Sequence, residues 1–96
     1  MPSSRYPHLA QMLGAYFHQD CYMDGASDAE ILDDFRAAKP ASYVAATVKE
    51  IDRFLAAHPH GLLAALEATF APDVTLGEDD DEARAWLMAA TKRLSG

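Results

Sequence analysis

Apolar side chains recur three and four residues apart along almost all of this chain, and that spacing constrains its fold more than any single motif. Leu9, Met12, Leu13, Tyr16 and Phe17 gather on one face of a helix. Ile31, Leu32, Phe35 and Ala38 give a second, shorter stripe. Val44, Thr47, Val48, Ile51, Phe54 and Leu55 give the longest, over about Ala41 to Ala57, with Lys49, Glu50, Asp52 and Arg53 left to solvent. Leu62, Leu63, Leu66 and Phe70 define a fourth helix, and Ala83, Trp86, Leu87, Ala90 and Leu94 a last one from about Asp80 to Leu94. The punctuation agrees. Pro7 suits a first helical turn, and Ser27 with Glu30, like Asp79 with Glu82, has the spacing of a capping box. Asp24-Gly25 marks a turn, while Pro40, the His58-Pro59-His60-Gly61 string and Pro72 end helices. Only Val74-Thr75-Leu76 alternates, which is too short for a sheet. The expectation is an all-α fold: one domain of five helices over residues 1–96, with residues 1–5 as a flexible lead-in.

Ninety-six residues fit one domain of modest stability, burying somewhat more than roughly 60% of the unfolded chain's surface. Eight basic against fifteen acidic side chains leave a formal charge of -7, which repels phosphate backbones and favours positively charged partners. Direct nucleic-acid binding is therefore disfavoured. The lone Cys21 makes no internal disulfide, and no N-terminal apolar run has the length of a signal peptide or membrane span. A soluble, cytoplasmic protein is expected.

His18 and Asp20, with Cys21 beside them, are the obvious candidates for acid-base or metal chemistry. Such a site needs a third ligand or a nucleophile, and neither His8 nor Cys21 stands at a recognised spacing. Capping the end of the first helix is the simpler role for His18, Gln19 and Asp20. Asp20 to Ile31 also imitates a twelve-residue calcium loop, but Tyr22 stands at its third position and Ile31 where a bidentate Glu belongs. Cys21 reads as a structural thiol, and His58 and His60 as turn residues. No catalytic residue, metal or cofactor is expected.

Glu78-Asp79-Asp80-Asp81-Glu82 is the densest charge run, placed at a helix N-terminus. Capping and the helix dipole use only one or two acids there, so five exceed the structural requirement and suit a docking surface for a basic partner. Asp24, Asp28, Asp33 and Asp34 form a second acidic area. Tyr22, Met23 and Tyr43 are candidate aromatic and apolar anchors for such a contact, whereas Phe35, Phe54, Phe70 and Trp86 sit at core spacing.

The segment Tyr6-Pro7-His8-Leu9, followed by Leu13-Gly14-Ala15-Tyr16-Phe17-His18-Gln19-Asp20, resembles the opening signature of the immunity proteins of bacterial contact-dependent growth inhibition systems. Glu50-Ile51-Asp52 with Leu55, and Trp86-Leu87 with Leu94, extend the resemblance over nearly the whole chain, although Cys21 stands where that pattern commonly has tryptophan. It implies a cytoplasmic antidote that binds the toxic C-terminal domain of a large cell-surface effector from a neighbouring bacterium. Many such toxins are nucleases, often acting on tRNA, and a nuclease must present cations to phosphates, so an acidic inhibitor matches it electrostatically. The alternatives are a small hydrolase or metal-dependent enzyme built on His18 and Asp20, or a helical adaptor for another basic partner.

Overall fold

Proline at position 7 lacks the amide that a helix cannot satisfy in its first turn, and the first helix starts there. In the computed structural model, which describes residues 5–17, 27–71 and 76–95, α1 spans Pro7–Ala15, α2 Asp28–Ala38, α3 Ala41–Ala57, α4 Leu62–Phe70 and α5 Asp80–Ser95. The fold is all-α, with five helices among the described residues. His18, Gln19, Asp20, Cys21, Tyr22, Met23, Asp24 and the Pro72 to Thr75 segment lie outside them, as do residues 1–4.

Helix ends follow the local chemistry. Ser27 caps α2 by accepting from the Glu30 amide at 3.2 Å, and the Ser27 hydroxyl donates back to the Glu30 carboxylate at 3.3 Å. Lys39, extended ahead of Pro40, ends that helix. The Asp79 carboxylate accepts from the Glu82 amide at 2.8 Å to open α5, while Glu82 reaches back to the Glu78 amide at 2.9 Å. Gly61, at φ 66°, supplies the left-handed turn into α4.

Helix α3 packs against α1 and α5, and α5 in turn carries α2 and α4. Between them lie Leu9, Met12, Leu13 and Phe17 of the first segment with Phe35, Ile51, Phe54, Leu62, Leu66 and Leu87, all essentially inaccessible to water. Tyr16, Val48, Leu55, Leu63, Phe70 and Trp86 are half-buried against this core. Rings meet edge-on through it: Phe17 on Trp86 at 5.1 Å, Tyr16 on Phe35 at 5.1 Å, and Tyr6 on Phe54 at 5.2 Å. Two positions depart from the expected pattern. Ala38 is exposed, because α2 stops there and Phe35 is the last of its side chains to enter the core. Glu50, expected in solvent, is buried at 5% exposure.

Candidate functional site

The reason for Glu50's burial lies at the start of α1. Tyr6 stands at the N-cap of that helix without a side chain that accepts hydrogen bonds from its amides. The Glu50 Oε1 atom of α3 takes that place, accepting from the His8 amide at 2.8 Å and the Leu9 amide at 3.0 Å. Its Oε2 atom meets the His8 Nδ1 atom. One carboxylate from a distant helix thus caps α1 and lies where the dipole favours negative charge. His8 in turn stacks edge-on against Tyr43 at 4.5 Å. Nearby, Arg53 donates to the Arg5 carbonyl at 2.7 Å and lies 5.4 Å from the centre of the Tyr6 ring. The Tyr6-to-Leu9 segment and the Glu50-Ile51-Asp52 segment are one structural unit.

The five-residue acidic run divides by duty. Asp79 caps α5 and Glu82 braces the approach to it. Asp80 turns to the next helix, accepting from the Gly61 amide at 3.0 Å and the Leu63 amide at 3.0 Å, which caps α4 where Gly61 has no side chain to do so. Glu78 and Asp81 are exposed, and no hydrogen bond or ion pair engages their carboxylates among the described residues. Asp79, Asp80 and Asp81 together line an open surface depression.

The second acidic area is likewise partly committed. Asp28 accepts from the Trp86 Nε1 atom at 2.9 Å, joining the start of α2 to α5. Asp33 pairs bidentately with Arg93 at 2.9 and 2.6 Å. The hydrogen bond from Arg93 lowers the pKa of the Asp33 carboxyl, with desolvation opposing and the charges of Arg93 and Arg36 adding. Asp34 is exposed, with no hydrogen bond or ion pair among the described residues. Tyr43 is half-buried between His8, Phe35 and the Lys39 ammonium, which lies 5.0 Å from its ring centre. Asp24 and Tyr22 lie outside the described residues, as do His18, Asp20 and Cys21.

Sequence reasoning missed three features. Glu50 falls in step with Thr47 and Phe54, three and four residues away, so its place on the buried stripe was visible in the spacing. The cross-helix duty of Asp80 had no local signal. The third is the opposite charge at the far end of α5: Lys92 and Arg93 stand there with Arg36 of α2 and Lys39 just beyond it, around grooves between these helices and the start of α3.

Among the described residues no group of three or more His, Cys, Asp and Glu is placed to hold a metal ion, and no helix is long and apolar enough to cross a membrane. On the described surface charge is sorted by location over a frame of five helices, which defines a small helical protein whose α5 is acidic at its head and basic at its end. A family model described as CdiI immunity protein matches residues 5–94, and the chain belongs to that family. Its role is that of an immunity protein that neutralises a toxin. No curated protein and no solved structure shows significant similarity to it.

Proposed function

We propose that this chain neutralises its cognate toxin by binding alone, with no reaction of its own, and that the toxin is a basic nuclease, an RNase directed at tRNA being the class that best fits. The setting is the cytoplasm of the cell that makes it, and the toxin is the C-terminal domain of a large effector delivered by a neighbouring bacterium. The observation that carries this reading is the pair of exposed carboxylates Glu78 and Asp81 at the head of α5, which stay outside the capping network in a chain of net charge -7. A nuclease gathers cations where phosphates bind, and covering them with fixed carboxylates keeps the nucleic acid out. Asp34 extends the acidic surface on α2, and Tyr43, Tyr22 and Asp24 remain candidates for the contact. Asp28, Asp33, Asp79, Asp80 and Glu82 act on it mainly by holding the helices in place.

Survival is the direct test. Cells expressing the toxin domain encoded beside this chain should live only when the chain is co-expressed, and killing in its presence would end the immunity reading. The nuclease assignment is tested separately, by loss of RNA cleavage when the chain is added to the purified toxin. Charge reversal belongs at Glu78→Lys with Asp81→Lys. The caps Asp79 and Asp80 are unsuitable because their loss also weakens α5 and α4. Unchanged association kinetics at low salt would remove this patch from the interface.

A further inference from the structure

Helix α5 buries Ala83, Leu87, Ala90 and Leu94 against the core, and its opposite face carries a pattern of its own. Asp81, Ala85, Met88 and Lys92 follow one another at intervals of four, three and four residues, which sets them in one line along the helix, and all four are exposed. Met88, at 58%, is the large apolar side chain that stands exposed among the described residues. No hydrogen bond or ion pair engages the side chains of Asp81 and Lys92 among those residues. The helix dipole accounts for an acid at the head of α5 and a base at its end. It gives no reason for an exposed methionine between them. Intervals of four and three are those of a coiled-coil seam, whose side chains meet a partner helix layer by layer.

We infer that this face seats a second copy of the chain, the two α5 helices running antiparallel about a two-fold axis midway along the stripe. Charge complementarity names the occupant. Antiparallel alignment sets Asp81 of one copy opposite Lys92 of the other and, in the same register, Ala85 opposite Met88, and the symmetry makes each contact twice. A carboxylate then meets an ammonium at either end, about 16 Å apart at a rise of 1.5 Å per residue, and between them a small side chain meets a large, adaptable one. Parallel pairing would set acid on acid and base on base. A partner that is merely basic leaves Lys92 unmatched, whereas a copy of the same helix satisfies the whole stripe. Repulsion between two molecules of net charge -7 opposes the pairing, but it is screened beyond about 10 Å at 0.1 M salt while the paired charges act in contact. A single helix seam falls at the small end of interface sizes, so the dimer is weak and reversible. Asp81 also belongs to the toxin contact proposed above, so toxin and second copy exclude each other there. The pairing itself is a property of the chain alone and does not depend on that reading.

The test is sedimentation velocity on the full chain near 0.1 M salt, at concentrations up to about 1 mM, the range in which a weak dimer populates. The wild type should shift from monomer toward dimer as concentration rises. Asp81→Lys sets Lys against Lys across the axis and Lys92→Asp sets Asp against Asp, so each variant alone should pair at least tenfold more weakly. Asp81→Lys also lowers the overall negative charge, so its loss of pairing cannot come from net charge. Mixing the two variants should restore the dimer, because every Lys in the mixed pair meets an Asp. Met88→Asp, at an exposed position, should weaken pairing tenfold or more with an unchanged thermal melt, and it keeps the proposal testable if a charge variant folds poorly. A wild type that stays monomeric throughout overturns the proposal, as does association that none of the three variants alters, or a mixture of folded charge variants that fails to pair. Weaker toxin binding by Met88→Asp in a chain that is monomeric at every concentration makes the toxin the occupant of this face and also overturns it.

Discussion

Glu50 shows how one side chain joins its own helix to two amides that lie 41 and 42 residues away in sequence. Helix α1 begins with a proline and a tyrosine that leaves its amides uncapped, so the chain places an acceptor from α3 where most helices use their own N-cap residue. Removing it in Glu50→Ala orphans the His8 and Leu9 amides beside a buried cavity. The expected cost is about 2–3 kcal/mol, a fall of roughly 10 °C or more in the melting temperature of a domain this size. Glu50→Gln keeps one carbonyl oxygen for those amides and should cost roughly half as much. Calorimetric melts of the two variants give the comparison, and a loss below about 0.5 kcal/mol for Glu50→Ala would mean that water replaces the carboxylate without penalty. The apolar stripe of α3 was legible residue by residue because Val44, Ile51 and Phe54 obey one period. Glu50 obeys the same period, but its charge argued for solvent, and only the unmet amides of a distant helix reverse that argument.

At the scale of the helices, the boundaries at Ser27, Pro40, Pro7 and Asp79 were legible because each lies within the local chain, where capping and proline chemistry act. The links between helices were not, since they join residues far apart in sequence. Asp80 is one such link. Asp80→Ala should destabilise the protein by about 1–2 kcal/mol through the freed Gly61 and Leu63 amides, while Asp81→Ala, one residue on, should change the melt by less than about 0.5 kcal/mol. Equal melts for the two would dissolve the division of the acidic run into caps and free carboxylates. The Asp33–Arg93 pair joins α2 to α5, and its pH dependence has a defined sign. The folded-state pKa of Asp33 is lowered from 3.8, chiefly by the hydrogen bond from Arg93, so the pair's contribution is complete above that value and is lost as pH falls below it. Titration followed by NMR should place the Asp33 carboxyl below 3.8 and return it toward that value in Arg93→Ala. Between pH 5 and 7 this pair should add no slope to stability, because the carboxyl stays ionised throughout in both states.

For the whole molecule, net charge was legible from composition, but its distribution depended on how the helices stack. The formal charge of -7 conceals an α5 whose first turn holds Asp80, Asp81 and Glu82 and whose last turn holds Lys92 and Arg93. Each end suits the helix dipole, so the polarity has a structural origin before any partner arrives. The Cα extents of 31 × 29 × 25 Å exceed the Debye length of about 10 Å at 0.1 M salt, so an approaching toxin senses the two ends separately. On the function proposed above, the long-range pull on a basic toxin comes from the acidic head, and that is testable. Raising the salt from about 0.1 to about 1 M cuts the screening length to roughly 3 Å, and the association rate with the toxin should fall by tenfold or more while dissociation changes far less. Glu78→Lys with Asp81→Lys should lower the low-salt rate and flatten this dependence. Stopped-flow measurements on the wild type and this variant make the comparison. A wild-type association rate indifferent to salt would mean that shape, and not charge, brings the partners together.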